Sequence, residues 1–309
     1  MTDLLQGIIS GINPYILQII VNIGIGIVLA LGLNVITGLT GQLSLGHAAF
    51  MSVGAFTSAL LTIKLGMPIM LNLLVTGAVT AVIGALIGYP ILRLTGDYLA
   101  ICTLGFAEIV KVVFLNLDIT NKALGLSVPP AKTAIPMPFV VWGVAILAIV
   151  LVTFVYDSRF GRALKAIRGD EIAAEAMGIN VARYKVQSFA LGTFLAGVGG
   201  GLYAHFISYI NPSDFGFLKS IDILSMIVLG GLGSIPGAVI GAAVLSAAPE
   251  FLRFMSQYRM LVYGGLLVFM MLFRPNGLLG GINFTDLVLR SLGRKPHIKK
   301  ELERREVKQ

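Results

Sequence analysis

Charged residues are scarce in this sequence, and cysteine is almost absent. Asp, Glu, Lys and Arg account for 12% of the 309 residues, whereas hydrophobic residues reach 56%. Soluble globular domains carry about 25% charged residues. A soluble fold of this length could not bury so much apolar surface, so we expect the chain to lie in a lipid bilayer. The single cysteine, Cys102, excludes a disulfide within the chain.

Motifs for catalysis and cofactor binding are also lacking. No G-x-x-x-x-G-K-[ST] sequence occurs, so the chain carries no P-loop of its own. The three histidines are far apart, and neither a His-x-x-His pair nor a cysteine cluster offers a metal site. Paired catalytic carboxylates and nucleophile elbows are missing as well. We therefore expect a protein that is not an enzyme and that holds no cofactor or metal ion of its own.

Apolar runs long enough to cross a membrane dominate the sequence. About 20 apolar residues cover the ~30 Å hydrocarbon core of a bilayer. Runs close to this length lie at 15–36, 44–63, 68–92, 99–117, 137–156, 186–209 and 258–273. A longer run at 221–249 is interrupted by Gly230, Gly231, Gly233 and Pro236, so we expect two short helices or a re-entrant hairpin there. The predicted fold is an all-α integral membrane protein, a polytopic helical bundle of about eight to ten transmembrane segments with broken or re-entrant helices.

Small residues recur every four positions in two of these runs. Gly192, Ala196, Gly200 and Ala204 form one such series, and Gly237 with Gly241 forms another. A face of small residues lets helix backbones approach closely in lipid. We therefore interpret these glycines as packing positions and not as a nucleotide-binding loop.

Basic residues are distributed unevenly along the chain. Residues 157–185 contain Arg159, Arg162, Lys165, Arg168, Arg183 and Lys185, and the tail after residue 273 is also rich in Lys and Arg. Because short cytoplasmic loops are enriched in basic residues, we expect both segments in the cytoplasm and the N-terminus outside. The net charge of +8 thus indicates sidedness and not nucleic-acid binding. The tail is either a solvated topology determinant or an arm that binds anionic membrane lipid or a partner.

Several polar side chains fall at membrane depth, where each costs free energy. The candidates for a solute path are Asn34, Gln42, Ser44, His47, Asp97 and Glu108. They either line the path of a solute or form hydrogen bonds and ion pairs between helices. Glu108 and Lys111 are three residues apart, so they share a helix face and could neutralise each other. A path role is favoured for the segment from Gln42 to His47, because glycines break the helix there and expose backbone donors.

The polar segment 157–185 contains a predicted helix of only about two turns. Asp170 is a suitable N-cap, Glu171 and Glu175 follow in the first turns, and Gly178 fits the position after the C-cap. So short a helix is marginal in water and must dock on something. It either connects two spans along the protein's own membrane face or docks in a cleft of a soluble partner. Its place between basic flanks and two long spans favours the partner.

This segment resembles the coupling loop of ATP-binding-cassette (ABC) importer permeases, through EIAAEAMGIN at 171–180. Further stretches resemble the branched-chain amino-acid permeases of the LivH/LivM type, and the LivM side fits better. They are GLNVITGLTGQLSLGHAAFMSVGAF (32–56), TGDYLAICTLGFAEIVKVV (95–113), GRALKAIRGDEIAAEAMGIN (161–180) and VLGGLGSIPGAVIGA (228–242).

The resemblance implies a membrane subunit of an ATP-driven importer in the bacterial cytoplasmic (inner) membrane. It also implies the partners: a homologous permease, preferably as a heterodimer, two ATPase subunits that use ATP and Mg²⁺, and an extracytoplasmic solute-binding protein. Residues 1–285 would form the permease domain, with the coupling loop at 157–185, and 286–309 a basic cytoplasmic tail. The residues that would transmit ATPase closure are Arg168, Asp170, Glu171, Ala174, Glu175, Met177, Gly178 and Asn180.

The solute and the energy source leave alternatives open. Leucine, isoleucine and valine are the expected solutes, but permeases for urea, short amides or other amino acids share these motifs. A secondary transporter driven by an ion gradient would instead need an intramembrane carboxylate, for which Asp97, Glu108 and Asp222 are the candidates. An ion-coupled transporter has no ATPase partner, so it would not explain the short helix of the polar segment.

Overall fold

The computed structural model of the chain describes residues 13–94, 96–129 and 135–251, together with residues 264, 265, 268 and 277. The α-helices in these parts are α1 (Pro14–Leu33), α2 (His47–Leu65), α3 (Ile69–Ile91), α4 (Asp97–Asn116), α5 (Met137–Asp157), α6 (Arg159–Gly169), α7 (Glu171–Ala176), α8 (Val181–Ile207), α9 (Phe217–Gly230) and α10 (Ile235–Phe251). A π-helix, Asn34–Leu39, continues α1. Three short 3₁₀ turns, Asp118–Thr120, Lys122–Leu124 and Pro212–Phe215, and two short strands, β1 (Leu126–Ser127) and β2 (Tyr209–Ile210), complete the described structure.

Six helices of the described structure are long and apolar enough to cross a membrane. They are α1 with its π-helical continuation, α2, α3, α4, α5 and α8. Each coincides with an apolar run of the sequence, so the predicted all-α multi-pass membrane fold is confirmed. The run predicted at 258–273 lies almost entirely outside the described residues, and so do the boundary at 285 and the basic tail 286–309.

The glycine-interrupted run forms two short helices joined by a turn, as both alternatives of the prediction require. At 1.5 Å per residue, α9 and α10 are only about 21 and 26 Å long, less than the thickness of the hydrocarbon core. They pack against each other. The turn between them depends on Gly231 and Gly233, whose φ angles are +115° and +81°, values that favour glycine. A Cβ added at Gly230 would collide with the backbone of Gly237, so the small residues permit this close approach.

Helix α8 occupies the centre of the described bundle and packs against α1, α2 and α3. The stripe of small residues on α8 lies in these contacts. A Cβ at Gly200 would collide with the carbonyl oxygen of Met51 on α2, and one at Gly192 would meet the side chain of Ile36. The predicted packing role of the glycine series is therefore confirmed. The outer helices differ, since Leu86 on α3 and Phe154 on α5 are 70% and 74% exposed, as expected of faces turned to lipid or to a partner subunit.

The break between α1 and α2 is buried inside the bundle. All six residues of the π-helix are buried, and residues 41–46 that follow it are irregular. Irregular backbone is tolerated at membrane depth only where protein surrounds it. Two contacts show that protein does so here: Leu45 donates its N–H to Thr103 Oγ1 at 3.0 Å, and Ala48 donates its N–H to Ser220 Oγ at 3.1 Å.

Candidate functional site

Helix α7 is the short helix that the sequence predicts between the basic flanks. Asp170 is its N-cap, and the Asp170 carboxylate accepts the N–H groups of Ile172 at 2.9 Å and Ala173 at 3.0 Å. Gly178 has a φ of +84° and donates its N–H to the carbonyl of Glu175, which ends the helix. Both caps lie where the sequence places them.

One face of α7 is held against the start of α8. Glu171 forms an ion pair of 2.5 Å with Lys185, whose side chain is only 5% exposed. Ala174 is buried, and Asn180 caps α8 by accepting the N–H of Arg183 at 3.0 Å. Because the Glu171–Lys185 ion pair joins α7 to the first turns of α8, a force on α7 would act directly on the central helix of the bundle.

The opposite face of α7 presents apolar side chains that nothing in the described structure covers. Ile172 is 82% exposed and Met177 is 83% exposed, and Glu175 between them is exposed too. Exposed apolar side chains of this kind are available to a docking partner. That α7 docks on a partner, and does not merely connect two spans along the protein's own surface, stays a prediction.

Arg168, the last-turn basic residue of α6, links this loop to the interior of the bundle. Its guanidinium donates from Nη1 to the carbonyl oxygen of Gly38 in the π-helix. The same nitrogen lies beside Gly233, in the turn between α9 and α10. Asn34 reaches this turn from the other side, since Asn34 Oδ1 accepts the N–H of Gly233 at 2.9 Å. Arg168, predicted for coupling, and Asn34, predicted for the solute path, thus both contact the turn at Gly233.

Gln42 and Ser44, predicted for the solute path, lie in the irregular segment after the π-helix. Both are buried, at 4% and 1% exposure, and neither side chain has a hydrogen-bond partner among the described protein groups. Leaving a buried polar group unsatisfied costs about 1–3 kcal/mol. His47, at the start of α2, is fully buried against Gly32. The structure therefore places Asn34, Gln42, Ser44 and His47 along one buried break, and their role in a solute path stays a prediction.

Asp97 and Glu108 lie elsewhere on α4 and bring no unpaired charge to this break. Asp97 is exposed at the first turn of the helix. Glu108 forms the predicted ion pair with Lys111 at 3.3 Å, and both side chains are partly exposed. The residue of α4 that does contact the break is Thr103. Thr103 lies in the stretch 95–113 that carries part of the resemblance, but nothing in the sequence indicates that it contacts the break.

No cluster of metal-ligating side chains occurs in the part of the chain that the structure describes. The polar groups around the break are instead amides, hydroxyls, one imidazole and one guanidinium. Such groups can bind a solute or each other by hydrogen bonds, but none forms a nucleophile and base pair suited to covalent chemistry.

Residues 15–271 match a family model described as the branched-chain amino acid transport system permease component. The chain belongs to this family. The match includes both groups of predicted site residues and all of the described helices except the first residue of α1. A transport permease is expected to have a multi-pass helical fold and no catalytic motifs, and this chain has both properties.

Individual members of the permease family show the same relationship. The chain is 38% identical over 285 residues to the high-affinity branched-chain amino acid transport system permease protein LivM of Salmonella typhimurium, covering 82% of this chain and 67% of that protein. It is 29% identical over 298 residues to BraD of Pseudomonas aeruginosa, covering 87% and 97%. It is 37% identical over 147 residues to LivH of Escherichia coli, covering 47% of each chain. No solved structure matches the chain.

Proposed function

We propose that this chain is the transmembrane permease subunit of an ABC importer that takes up leucine, isoleucine and valine. Its relatives LivM and BraD are named as permease proteins of high-affinity branched-chain amino acid transport. The observation that carries the proposal is the capped helix α7, which presents uncovered apolar residues on one face and is tied to α8 on the other. A helix that contacts a partner on one face and α8 on the other would let ATP hydrolysis in that partner move the bundle, without catalysis by this chain.

The remaining subunits supply what this chain lacks. Two ATPase subunits would use ATP and Mg²⁺, because this sequence has no P-loop, and one of them would dock on α7. A second permease would complete the path, and the similarity to both LivM-type and LivH-type proteins supports a heterodimer. A solute-binding protein would deliver the amino acid on the opposite side. The basic loop 157–185 and the C-terminus would face the cytoplasm of a bacterial cell, with the N-terminus outside the inner membrane.

Transport would proceed by alternating access between two conformations of the bundle. Each partner would bind one of these conformations more tightly than the other and so shift the equilibrium between them. ATPase closure would move α7, and the Glu171–Lys185 ion pair would transmit this motion to α8. Arg168 would transmit it to Gly38 and Gly233, where a π-helix and a glycine turn adjoin. Both are elements whose backbone can rearrange more easily than a regular helix.

Reconstitution tests the proposal. Proteoliposomes that contain the chain, its partner permease and the ATPases, with ATP at the ATPase side and the binding protein outside, should accumulate radiolabelled leucine. Omission of the ATPases should abolish uptake even when a proton or sodium gradient is imposed. Uptake that persists under the gradient alone would replace the proposal with an ion-coupled transporter. Uptake of urea or acetamide in place of leucine would retain the ABC importer and correct its solute.

A further inference from the structure

A cavity of about 330 Å³ lies in the half of the bundle that is remote from the coupling loop. Its walls come from α1, α2, α8, α9 and α10. The α8 residues that line it, Tyr203 and Ile207, belong to the last turns of that helix, whereas α7 adjoins the first turns. The cavity therefore lies away from the ATPase side, where a solute delivered from the opposite side of the membrane would arrive.

The cavity has an aliphatic wall of a size suited to a small ligand. This wall consists of Ile25, Leu29, Met51, Ile223, Met226 and Leu245. Ligand cavities in proteins usually measure about 300–1,000 Å³ and are lined by apolar side chains with a few polar groups. This cavity is near the lower limit, so it fits a molecule of few heavy atoms with an apolar part.

The polar part of the cavity carries one charge of each sign. Lys219 and Asp222 both line it from α9 and are three positions apart, so they share a helix face. They do not form an ion pair with each other in the described structure, where the ion pairs involve other residues. The ammonium of Lys219 lies 5.7 Å from the ring of Tyr203, which also lines the cavity.

We propose that this cavity binds an α-amino acid with a branched aliphatic side chain during transport. Asp222 receives the ammonium group, Lys219 receives the carboxylate, and the aliphatic wall receives the side chain. The proposal rests on the proposed function of the chain and identifies where its solute binds. Lys219 and Asp222 are both partly buried and face one cavity without a salt bridge between them. Two opposite charges placed in this way match a zwitterion better than urea or a single ion.

Two substitutions with a matched control test the charges. In the complete transporter, Asp222→Asn and Lys219→Gln should each lower ATP-dependent leucine uptake at least about tenfold, because each removes one charged partner of the solute. The control is Asp118→Asn, which removes a carboxylate that is 88% exposed and paired with Lys122 at the surface. This control should transport normally. In this control, ATPase association and basal ATP hydrolysis should also match those of the native transporter. Co-purification of the partner subunits with Asp222→Asn and Lys219→Gln establishes that both variants assemble.

A second measurement needs no substitution and examines the cavity directly. Methionine methyl groups labelled with ¹³C in the complete transporter should show leucine-dependent NMR shifts at Met51 and Met226, which line the cavity. Met70 at the start of α3 is 50% exposed and does not line the cavity, so its signal should not change and serves as the control. Leucinamide, which lacks the carboxylate charge, should shift Met51 and Met226 only at much higher concentration.

The outcomes separate the two proposals. If the native transporter imports leucine but Met51 and Met226 do not respond and both charge variants transport like Asp118→Asn, the cavity is not the binding site and the proposed function stands. If the native transporter shows no ATP-dependent leucine uptake, the proposed function fails and this inference falls with it. If a proton or sodium gradient drives leucine uptake by the native transporter and Asp222→Asn abolishes that uptake, Asp222 binds a coupling ion and not the solute.

Discussion

Removal of the Asp170 cap gives the sharpest test of the coupling helix. Helix α7 has six residues, too few to be stable alone in water, so its formation depends on its ends. The Asp170 carboxylate satisfies two N–H groups at 2.9 and 3.0 Å. Replacement of such a cap by alanine costs about 1 kcal/mol, which is a factor of about five in the population of the helix.

We therefore expect Asp170→Ala to weaken binding of the ATPase subunits up to about fivefold, because a partner that binds only the formed helix loses affinity in proportion to its population. Asp170→Asn is the matched variant. Asparagine is as good an N-cap as aspartate but carries no charge. The variant should thus bind the ATPases nearly as well as the native chain.

The assay is a titration of purified ATPase subunits onto the permease pair in nanodiscs, with stimulated ATP hydrolysis as a second readout. Detergent extraction and chromatographic behaviour of the variants establish that they insert and assemble normally. If Asp170→Asn loses as much affinity as Asp170→Ala, the carboxylate acts through its charge on the partner and not as a cap. Native affinity in Asp170→Ala would refute the capping argument altogether.

Three further variants test separate contacts. Arg168→Leu removes the donor to the π-helix, so the ATPases should still bind and hydrolyse ATP while leucine uptake falls. Glu171→Lys places a second ammonium beside the buried Lys185, so ATPase association should be lost although the subunit still inserts; normal co-purification would contradict this. Gly200→Ala should lower the free energy of unfolding of the isolated subunit by about 1–3 kcal/mol, because the added methyl group collides with the α2 backbone. Gly105→Ala is the control, since its methyl group enters open space and should leave that free energy unchanged.

Much of the fold follows from local sequence patterns. Each apolar run in the described region became a helix because a backbone in lipid must satisfy its own hydrogen bonds. The two short helices α9 and α10 were expected from their glycines, and the caps of α7 from Asp170 and Gly178. The Glu108–Lys111 ion pair was expected from spacing alone, since both residues lie on one helix.

Contacts between distant segments were not predictable in the same way. The sequence assigned Arg168 to coupling and Asn34 to a solute path, and nothing in it indicates that both reach Gly233. Thr103 and Ser220 contact the break between α1 and α2, and no sequence pattern around either residue indicates that contact. Asp222 was known only as one carboxylate at membrane depth, and its cavity is formed by five helices.

The sequence by itself determined the solvent of this protein, the helical class of its fold, the short capped helix of its polar loop and, through its motifs, its family. These properties depend on composition and on residues within about one or two helical turns of each other. Only the tertiary structure decided that the coupling loop contacts the π-helix and that Lys219 and Asp222 face an aliphatic cavity. Such features depend on how whole helices pack. A series of small residues indicates which face of a helix packs closely, but not which residues of another helix it meets.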